Sequence, residues 1–178
     1  MMKNTRTSYG SVAKILHWLI GFTVIGLIIL GFSLGYFKGM SIAGRMYMLH
    51  KSLGLSVLAL VLIRIIWRFA NISPTPPNHV KHCQQKAEKL AHFLLYISLL
   101  AMPLSGWIMA TASGHFPNFF GLGAIPMPFI PSSKALASAA SWTHTASAWT
   151  LITLISLHIL ATIQHYVVHK DNILKRMI

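Results

Sequence analysis

The stretch from Ile15 to Phe37 contains no Lys, Arg, Asp or Glu. A helix needs about 20 apolar residues to cross roughly 30 Å of hydrocarbon, so this stretch is long enough to span a membrane. It is too long for the apolar part of a cleaved signal peptide, and we predict a retained membrane anchor. The whole chain is 54% hydrophobic and 10% charged, whereas a water-soluble domain has about 25% charged residues. These proportions predict an integral membrane protein.

Three further apolar stretches predict an all-α bundle of four transmembrane helices, in a single domain over residues 1–178. The predicted helices cover about residues 12–35, 47–67, 90–111 and 141–168. The fourth is longer than a crossing needs, so we expect it to tilt or to project from the membrane. The second connection opens with SPTPP, whose prolines forbid a continuing helix. The third, residues 113–133, is rich in Gly, Pro and Phe and is expected to lie across the outer surface.

The positive charges predict how the bundle is oriented. There are 15 Lys and Arg against 2 acids, which gives a formal net charge of +13. Such a charge can indicate nucleic acid binding, but here the cations are thinly spread between apolar runs, so we predict no nucleic acid partner. Only four cations fall on one side of the predicted bundle, and the other eleven fall on the side of the termini; the four are Lys38, Arg45, Lys51 and Lys134. The positive-inside rule then places both termini in the cytoplasm of a bacterium, across its inner membrane.

Histidines inside the predicted helices are the strongest functional signal, because an ionisable residue within a membrane is costly. His144 and His158 lie fourteen residues apart in the fourth helix. This spacing corresponds to about 21 Å along the axis and about 40° in direction, and a left-handed supercoil brings both onto one face. One metal ion could not bind both residues. Two haems, one above the other, could.

Each haem iron then needs a second axial ligand from a facing helix, and the topology assigns it. The first helix rises from the cytoplasm, so His17 lies near the inner surface; the second descends, so His50 lies near the outer one. We predict that His50 and His144 bind the outer haem iron, and that His17 and His158 bind the inner one. Two imidazoles leave no open coordination position, which suits electron transfer. Two alternatives stay open: these histidines are hydrogen-bonded residues between helices, or His92 replaces His17.

Other residues fit the same interpretation. Arg64 and Arg68 lie at the level of the inner haem and are predicted to bind its propionates, with lipid phosphates as the alternative partner. Several glycines either leave room for a flat macrocycle or bring helices close together; they are Gly21, Gly26, Gly31, Gly35 and Gly54.

The motifs together resemble the bacterial cytochrome b561 family over nearly the whole chain. They are ILHWL at His17, MLHKSLG at His50, the Arg64–Arg68 pair, PTPP, LAH at His92, MPLSG, SW before His144, LH at His158 and HKDNILKRM. The resemblance implies four helices, b-type haem with two histidine ligands, and electron exchange with quinone. One member type is a superoxide oxidase, which passes electrons from superoxide to ubiquinone. One departure is local: Thr143 separates Trp142 from His144, where the pattern has histidine directly after tryptophan.

The predicted function is therefore electron transfer from superoxide at the outer face to ubiquinone at the inner face. Lys51 and Lys134 are predicted to steer the anionic donor, and the alternative is that they are ordinary solvated residues. His165 follows His158 by two helical turns, about 10 Å. His165 and His92 are the predicted quinone residues, because histidine both binds a carbonyl and transfers protons near neutral pH.

Two other functions are compatible with the sequence. One is a cytochrome b subunit that anchors a hydrogenase or dehydrogenase and has no catalysis of its own. The other is a haem-free membrane transporter, which would be colourless.

Overall fold

A computed structural model describes residues 1–75, 82–168, 170 and 174–177 of the chain. Four long helices dominate it: α1 (Ser11–Phe37), α2 (Ala43–Phe69), α3 (His82–Ala112) and α4 (Lys134–Val167). A short 3-10 turn, Leu174–Arg176, follows α4. Over the described residues the only β pairing is an isolated bridge between Asn118 and Ala124. The predicted all-α fold with four long apolar helices is confirmed.

Two helices begin earlier than the apolar pattern predicts. Helix α3 starts at His82 rather than near Leu90, and α4 starts at Lys134 rather than near Ser141. The start of α4 is fixed by Ser133, whose hydroxyl accepts a hydrogen bond from the Leu136 amide at 3.3 Å, as N-cap residues do. The second half of the PTPP motif and the predicted HKDN tail fall largely outside the described residues, at 76–81, 169 and 171–173.

All four helices are long and apolar enough to cross a membrane. Large apolar side chains cover their outer faces and are exposed in the isolated chain, among them Phe22, Ile29, Phe69, Phe93 and Leu160. A water-soluble protein rarely exposes so large an apolar surface. Lipid is the environment in which this surface is stable.

The core of the bundle lies midway along the helices. It consists of Ile20, Val24 and Leu27 from α1 with Val57 and Val61 from α2. Residues of α3 and α4 pack against this cluster, including Tyr96, Leu99, Leu100 and Ile155. Consecutive helices are packed neighbours along the bundle. The apolar core therefore separates the two ends of the bundle from each other.

Both chain termini lie at one end of the bundle, which we call the terminal end. There the Thr75 amide donates to the carbonyl oxygen of Arg6 at 2.9 Å, and Arg176 Nη1 donates to the carbonyl oxygen of Thr75 at 2.7 Å. The indole of Trp18 donates to the carbonyl oxygen of Met177 at 2.8 Å. The opposite end, with the α3–α4 loop (residues 113–133), is the loop end.

Candidate functional site

Two pairs of histidines face each other inside the bundle, one pair near each end. At the loop end, His50 of α2 faces His144 of α4, with ring centroids 6.3 Å apart and ring planes at 72°. At the terminal end, His17 of α1 faces His158 of α4, with centroids 6.2 Å apart and planes at 71°. The structure thus brings together the residues that the sequence pairs by depth, and it gives both pairs nearly the same geometry.

This spacing is the one expected for two ligands of a single metal ion. Two imidazoles that bind one ion from opposite sides hold their ring centres roughly 6 Å apart, because a metal–nitrogen bond is about 2 Å long and the nitrogen lies about 1 Å from the ring centre. Directly hydrogen-bonded or stacked rings would lie closer. The centroid separation of each pair therefore matches that of two imidazoles that share one metal ion.

A cavity of about 270 Å³ adjoins the loop-end pair. His50 and His144 both line it, and its walls are otherwise mostly apolar, including Phe32, Trp107 and Trp149. Gly54 also lines the cavity, and a Cβ atom at this position would meet nothing within 4 Å. The loop-end pair therefore borders a mostly apolar cavity.

The ring of His144 is held from behind by the backbone of α3. Its Nδ1 atom lies 2.8 Å from the carbonyl oxygen of Met102. A carbonyl can only accept, so Nδ1 carries the proton and Nε2 is left free. Metal-binding histidines are commonly oriented in this way by a carbonyl behind the ring. Gly106 makes the arrangement possible, since a Cβ there would lie 3.0 Å from both Cε1 and Nδ1 of His144.

His50 is packed differently from its partner. A Cβ at Gly31 of α1 would lie 3.1 Å from Cε1 of His50, so the ring lies against this glycine. The Nδ1 atom of His50 is buried and has no hydrogen-bond partner in the described part of the chain. Of the other predicted glycines, Gly21, Gly26 and Gly35 have open space where a Cβ would lie, as Gly54 does. The close approach is required at Gly31 alone of these five.

A third histidine stands beside the terminal-end pair. The ring centroid of His92 lies 5.5 Å from that of His158, closer than the rings of either facing pair. Its Nδ1 donates to the carbonyl oxygen of Glu88 at 3.0 Å, and the Glu88 carboxylate lies 3.9 Å away. His92 is thus part of the terminal-end site, and its predicted roles as quinone residue or alternative ligand remain predictions.

The two predicted arginines also lie at the terminal end. Arg64 donates from Nε to the Tyr96 hydroxyl at 3.1 Å and from Nη1 to the carbonyl oxygen of Ala13 at 3.4 Å, one turn before His17. The guanidinium of Arg68 lies 5.6 Å from the centre of the Tyr96 ring. Tyr9 closes this cluster from the N-terminal segment: burial raises its pKa, although the charge of Arg68 acts in the opposite direction. The bundle concentrates cationic and phenolic groups beside the His17–His158 pair.

The remaining predicted site residues lie apart. Lys51 lines the loop-end cavity, and its Nζ donates to the carbonyl oxygen of His115 at 2.8 Å. Lys134 is exposed at the first residue of α4. His165 lies half-buried in the last turn of α4, at the terminal end.

Sequence reasoning missed Gly106, the Met102 carbonyl, Ser52 and Tyr96 as parts of these sites. Gly106 and Met102 both belong to the MPLSG motif, which marks the segment but not its partner. Ser52 directly follows the His50–Lys51 pair and is hydrogen-bonded to the Asn118 carbonyl oxygen and the Phe120 amide of the α3–α4 loop, a contact that the sequence alone does not indicate.

Four apolar helices that enclose two facing histidine pairs are the arrangement expected of a membrane cytochrome. The sequence profile of the prokaryotic cytochrome b561 family matches residues 8–178. The chain therefore belongs to this family.

Individual relatives agree over most of their length. The chain is 30% identical to cytochrome b561 homolog 2 of Escherichia coli K12, over 98% of this chain and 93% of that protein. It is 33% identical to cytochrome b561 homolog 1 of the same organism, over 80% and 81% of the two chains. It is 31% identical to the probable superoxide oxidase CybB of Yersinia pestis, over 91% and 90%.

Membership of this family makes the protein a multi-pass bacterial membrane protein that binds b-type haem and transfers electrons. The residues present fit that cofactor. Each pair offers two imidazoles at the spacing of a shared iron, and the loop-end pair adjoins an apolar cavity.

Proposed function

We propose that this protein is a diheme superoxide:ubiquinone oxidoreductase of the bacterial inner membrane. The observation that carries the proposal is the repeated geometry of the two histidine pairs, 6.2 Å and 71° at one end and 6.3 Å and 72° at the other. A single helix, α4, contributes one histidine to each pair. Two equivalent sites at different depths fit a protein that moves electrons across a membrane.

In this proposal His50 and His144 hold one haem, and His17 and His158 hold the second. Haem, when bound, supplies a one-electron carrier at each level. The Met102 carbonyl fixes the proton of His144 on Nδ1, so Nε2 would be free to bind the iron. Arg64 and Arg68 would bind the propionates of the terminal-end haem, because both guanidinium groups lie around Tyr96 beside the His17–His158 pair and guanidinium groups bind carboxylates well.

The loop end would receive electrons from superoxide. Lys51 lines the cavity beside the histidine pair, and Lys134 is exposed at the start of α4. The chain has two acids: Glu88 belongs to the first half of α3, and Asp171 belongs to the C-terminal tail. A surface with cations and no opposing acid attracts a small anion. Two superoxide ions each lose one electron there and become dioxygen.

The terminal end would face the cytoplasm and deliver the two electrons to ubiquinone. Reduction to ubiquinol also takes up two protons, which water at that surface supplies. His165 in the last turn of α4 and His92 beside His158 are the candidate quinone residues. His165 can donate a hydrogen bond to a quinone carbonyl and pass on a proton. The Nδ1 of His92 already donates to the Glu88 carbonyl oxygen, so His92 would donate to a quinone from Nε2 only as an imidazolium.

The proposal is tested with the purified protein in liposomes that contain ubiquinone. The reduced-minus-oxidised spectrum and pyridine haemochrome assay should give two b-type haems per chain. Superoxide generated outside should reduce ubiquinone, and the yield should fall when superoxide dismutase is added. Two haems with no superoxide-dependent ubiquinol would refute the donor and point to a partner dehydrogenase or hydrogenase instead. A colourless protein would refute the whole assignment.

A further inference from the structure

The α3–α4 loop is fastened to the bundle by side chains of α2 and α3. Ser52 of α2, which is 0% exposed, accepts a hydrogen bond from the Phe120 amide at 2.9 Å. The same hydroxyl shares its proton between the carbonyl oxygens of Met48 at 2.8 Å and Asn118 at 3.1 Å. Its neighbour Lys51 donates to the carbonyl oxygen of His115. Two consecutive residues directly after His50 thus hold the loop.

The other side of the loop is fastened to α3. The Met127 amide donates to the Thr111 hydroxyl at 2.9 Å, and the indole of Trp107 donates to the carbonyl oxygen of Ile125 at 2.9 Å. Within the loop, the Ile125 amide donates to the carbonyl oxygen of Pro117 at 2.8 Å. The segment between Pro117 and Ile125 is therefore fixed at both of its ends.

Pro117 connects the loop with the candidate site. Its side chain is fully buried, and it lines the same cavity as His50 and His144. Through Pro117 the loop forms part of the wall of this cavity, so a donor that enters past this wall meets the loop. Displacement of Pro117 would widen the cavity towards the solvent.

The loop is held in a conformation that its sequence does not favour by itself. Phe120, whose amide binds Ser52, has a φ of 50°, a value that bulky residues rarely adopt. A residue in this region is strained and persists only where its surroundings hold it. Ser52 supplies that restraint at Phe120, and the strain favours release of the loop when the restraint is lost.

We propose that Ser52 is a positioning residue that latches the α3–α4 loop as a size-selective lid over the loop-end histidine pair. The closed lid admits a small anion and keeps bulky donors away from the cavity. This inference rests on the proposed function, in which the loop end receives electrons from a small donor. It extends that function, because the hydrogen-bonded loop would select donors by size in addition to the selection by charge.

Ser52→Ala tests the latch, with Ser56→Ala as the matched control. Ser56 lies one turn further along α2, and its hydroxyl donates to the carbonyl oxygen of Ser52 within the same helix. In the haem-loaded protein, amide hydrogen exchange of residues 118–125 should become about tenfold faster in Ser52→Ala, since a buried donor without a partner shifts an equilibrium by that order. The control should match the parent protein. If Ser52→Ala does not fold, Thr111→Val releases the other side of the loop and tests the same lid.

A second measurement compares two anionic donors in stopped-flow reduction of the haem-loaded protein. The sulfur dioxide radical anion from dithionite is small and gives one electron; reduced anthraquinone-2,6-disulfonate is bulky and gives two electrons with two protons. The rate with the bulky donor, relative to the small one, should rise about tenfold in Ser52→Ala.

Faster exchange together with this rise supports the lid. Unchanged exchange, or faster exchange with an unchanged rate ratio, overturns it. Neither of these two donors is superoxide, so the test of the lid does not depend on superoxide as the donor. If superoxide failed to reduce the parent protein, the proposed function would be refuted, and the rate ratio would still decide whether the loop acts as a lid.

Discussion

Replacing Gly106 with alanine is expected to weaken haem binding at the loop end and to leave the terminal end unchanged. A Cβ at this position lies 3.0 Å from Cε1 and Nδ1 of His144. Carbon atoms in ordinary van der Waals contact are at least 3.4 Å apart, so the imidazole must move by a few tenths of an ångström. The neighbour that must yield is a ring held by a hydrogen bond, which leaves it little freedom.

The size of the effect follows from that hydrogen bond. Displacement of the ring strains the 2.8 Å contact between His144 Nδ1 and the carbonyl oxygen of Met102. Loss of such a partner behind a metal-bound histidine lowers metal affinity by about 10- to 100-fold, which corresponds to about 1.4 to 2.8 kcal/mol. We expect the Gly106→Ala protein to lose the loop-end haem on dilution or during purification.

The assay is haem content by pyridine haemochrome, together with a redox titration of the remaining absorbance. Gly26→Ala is the control, because a Cβ at Gly26 meets nothing within 4 Å and the change lies in another transmembrane helix. The control should keep two haems, whereas Gly106→Ala should approach one. Two haems with unchanged affinity and potentials in Gly106→Ala would show that the His144 ring is not held as described.

Three further outcomes are expected. His17→Ala and His158→Ala should each remove the terminal-end haem, whereas His92→Ala should retain both haems. If His92→Ala removed that haem and His17→Ala retained it, His92 rather than His17 would be the ligand. The ring planes cross at 71° and 72°, and crossed imidazole planes would leave the π-type d orbitals of a bound iron nearly equal in energy. The oxidised protein should therefore give strongly anisotropic low-spin EPR signals with a large maximum g value. Rhombic signals at both sites would contradict crossed rings. Lys134→Glu reverses a steering charge, so it should slow reduction by superoxide several-fold in stopped-flow measurements and flatten the salt dependence of that rate. Lys3→Glu, at the terminal end, should change neither the rate nor its salt dependence.

The sequence was sufficient to predict the four long apolar helices and the two histidine pairs that face each other near the two ends of the bundle. Apolar length defines a membrane span, and fourteen residues of helix place His144 and His158 at two levels whatever the surroundings. The helix starts were harder to predict, because they depend on local polar contacts. Helix α4 begins at Lys134 because Ser133 caps it. A prediction from apolar residues alone does not take such a polar cap into account.

The orientation of the rings could not be predicted, because it depends on backbone atoms of other helices. Five glycines in α1 and α2 looked equivalent in the sequence, yet Gly31 alone among them touches a histidine ring. The glycine that lies against His144 is Gly106 in α3, and the carbonyl behind that ring belongs to Met102. Every residue has a backbone carbonyl, so the sequence cannot indicate which carbonyl will contact the ring. This partner is known only once the packing of the helices is known.

The same packing explains how one helix serves two sites without joining them. Leu151 lies seven residues from both His144 and His158, and therefore on nearly the same face of α4 at the midpoint between the pairs. It is 0% exposed and borders a small cavity of about 30 Å³ below the loop-end pair, together with Val24 and Val57. An apolar residue at this point excludes water and ions from the interval between the pairs. Electrons can cross such an interval by tunnelling whereas protons cannot. Under the proposed function, the protons for ubiquinone would therefore be taken up at the terminal end, where His92 and His165 lie.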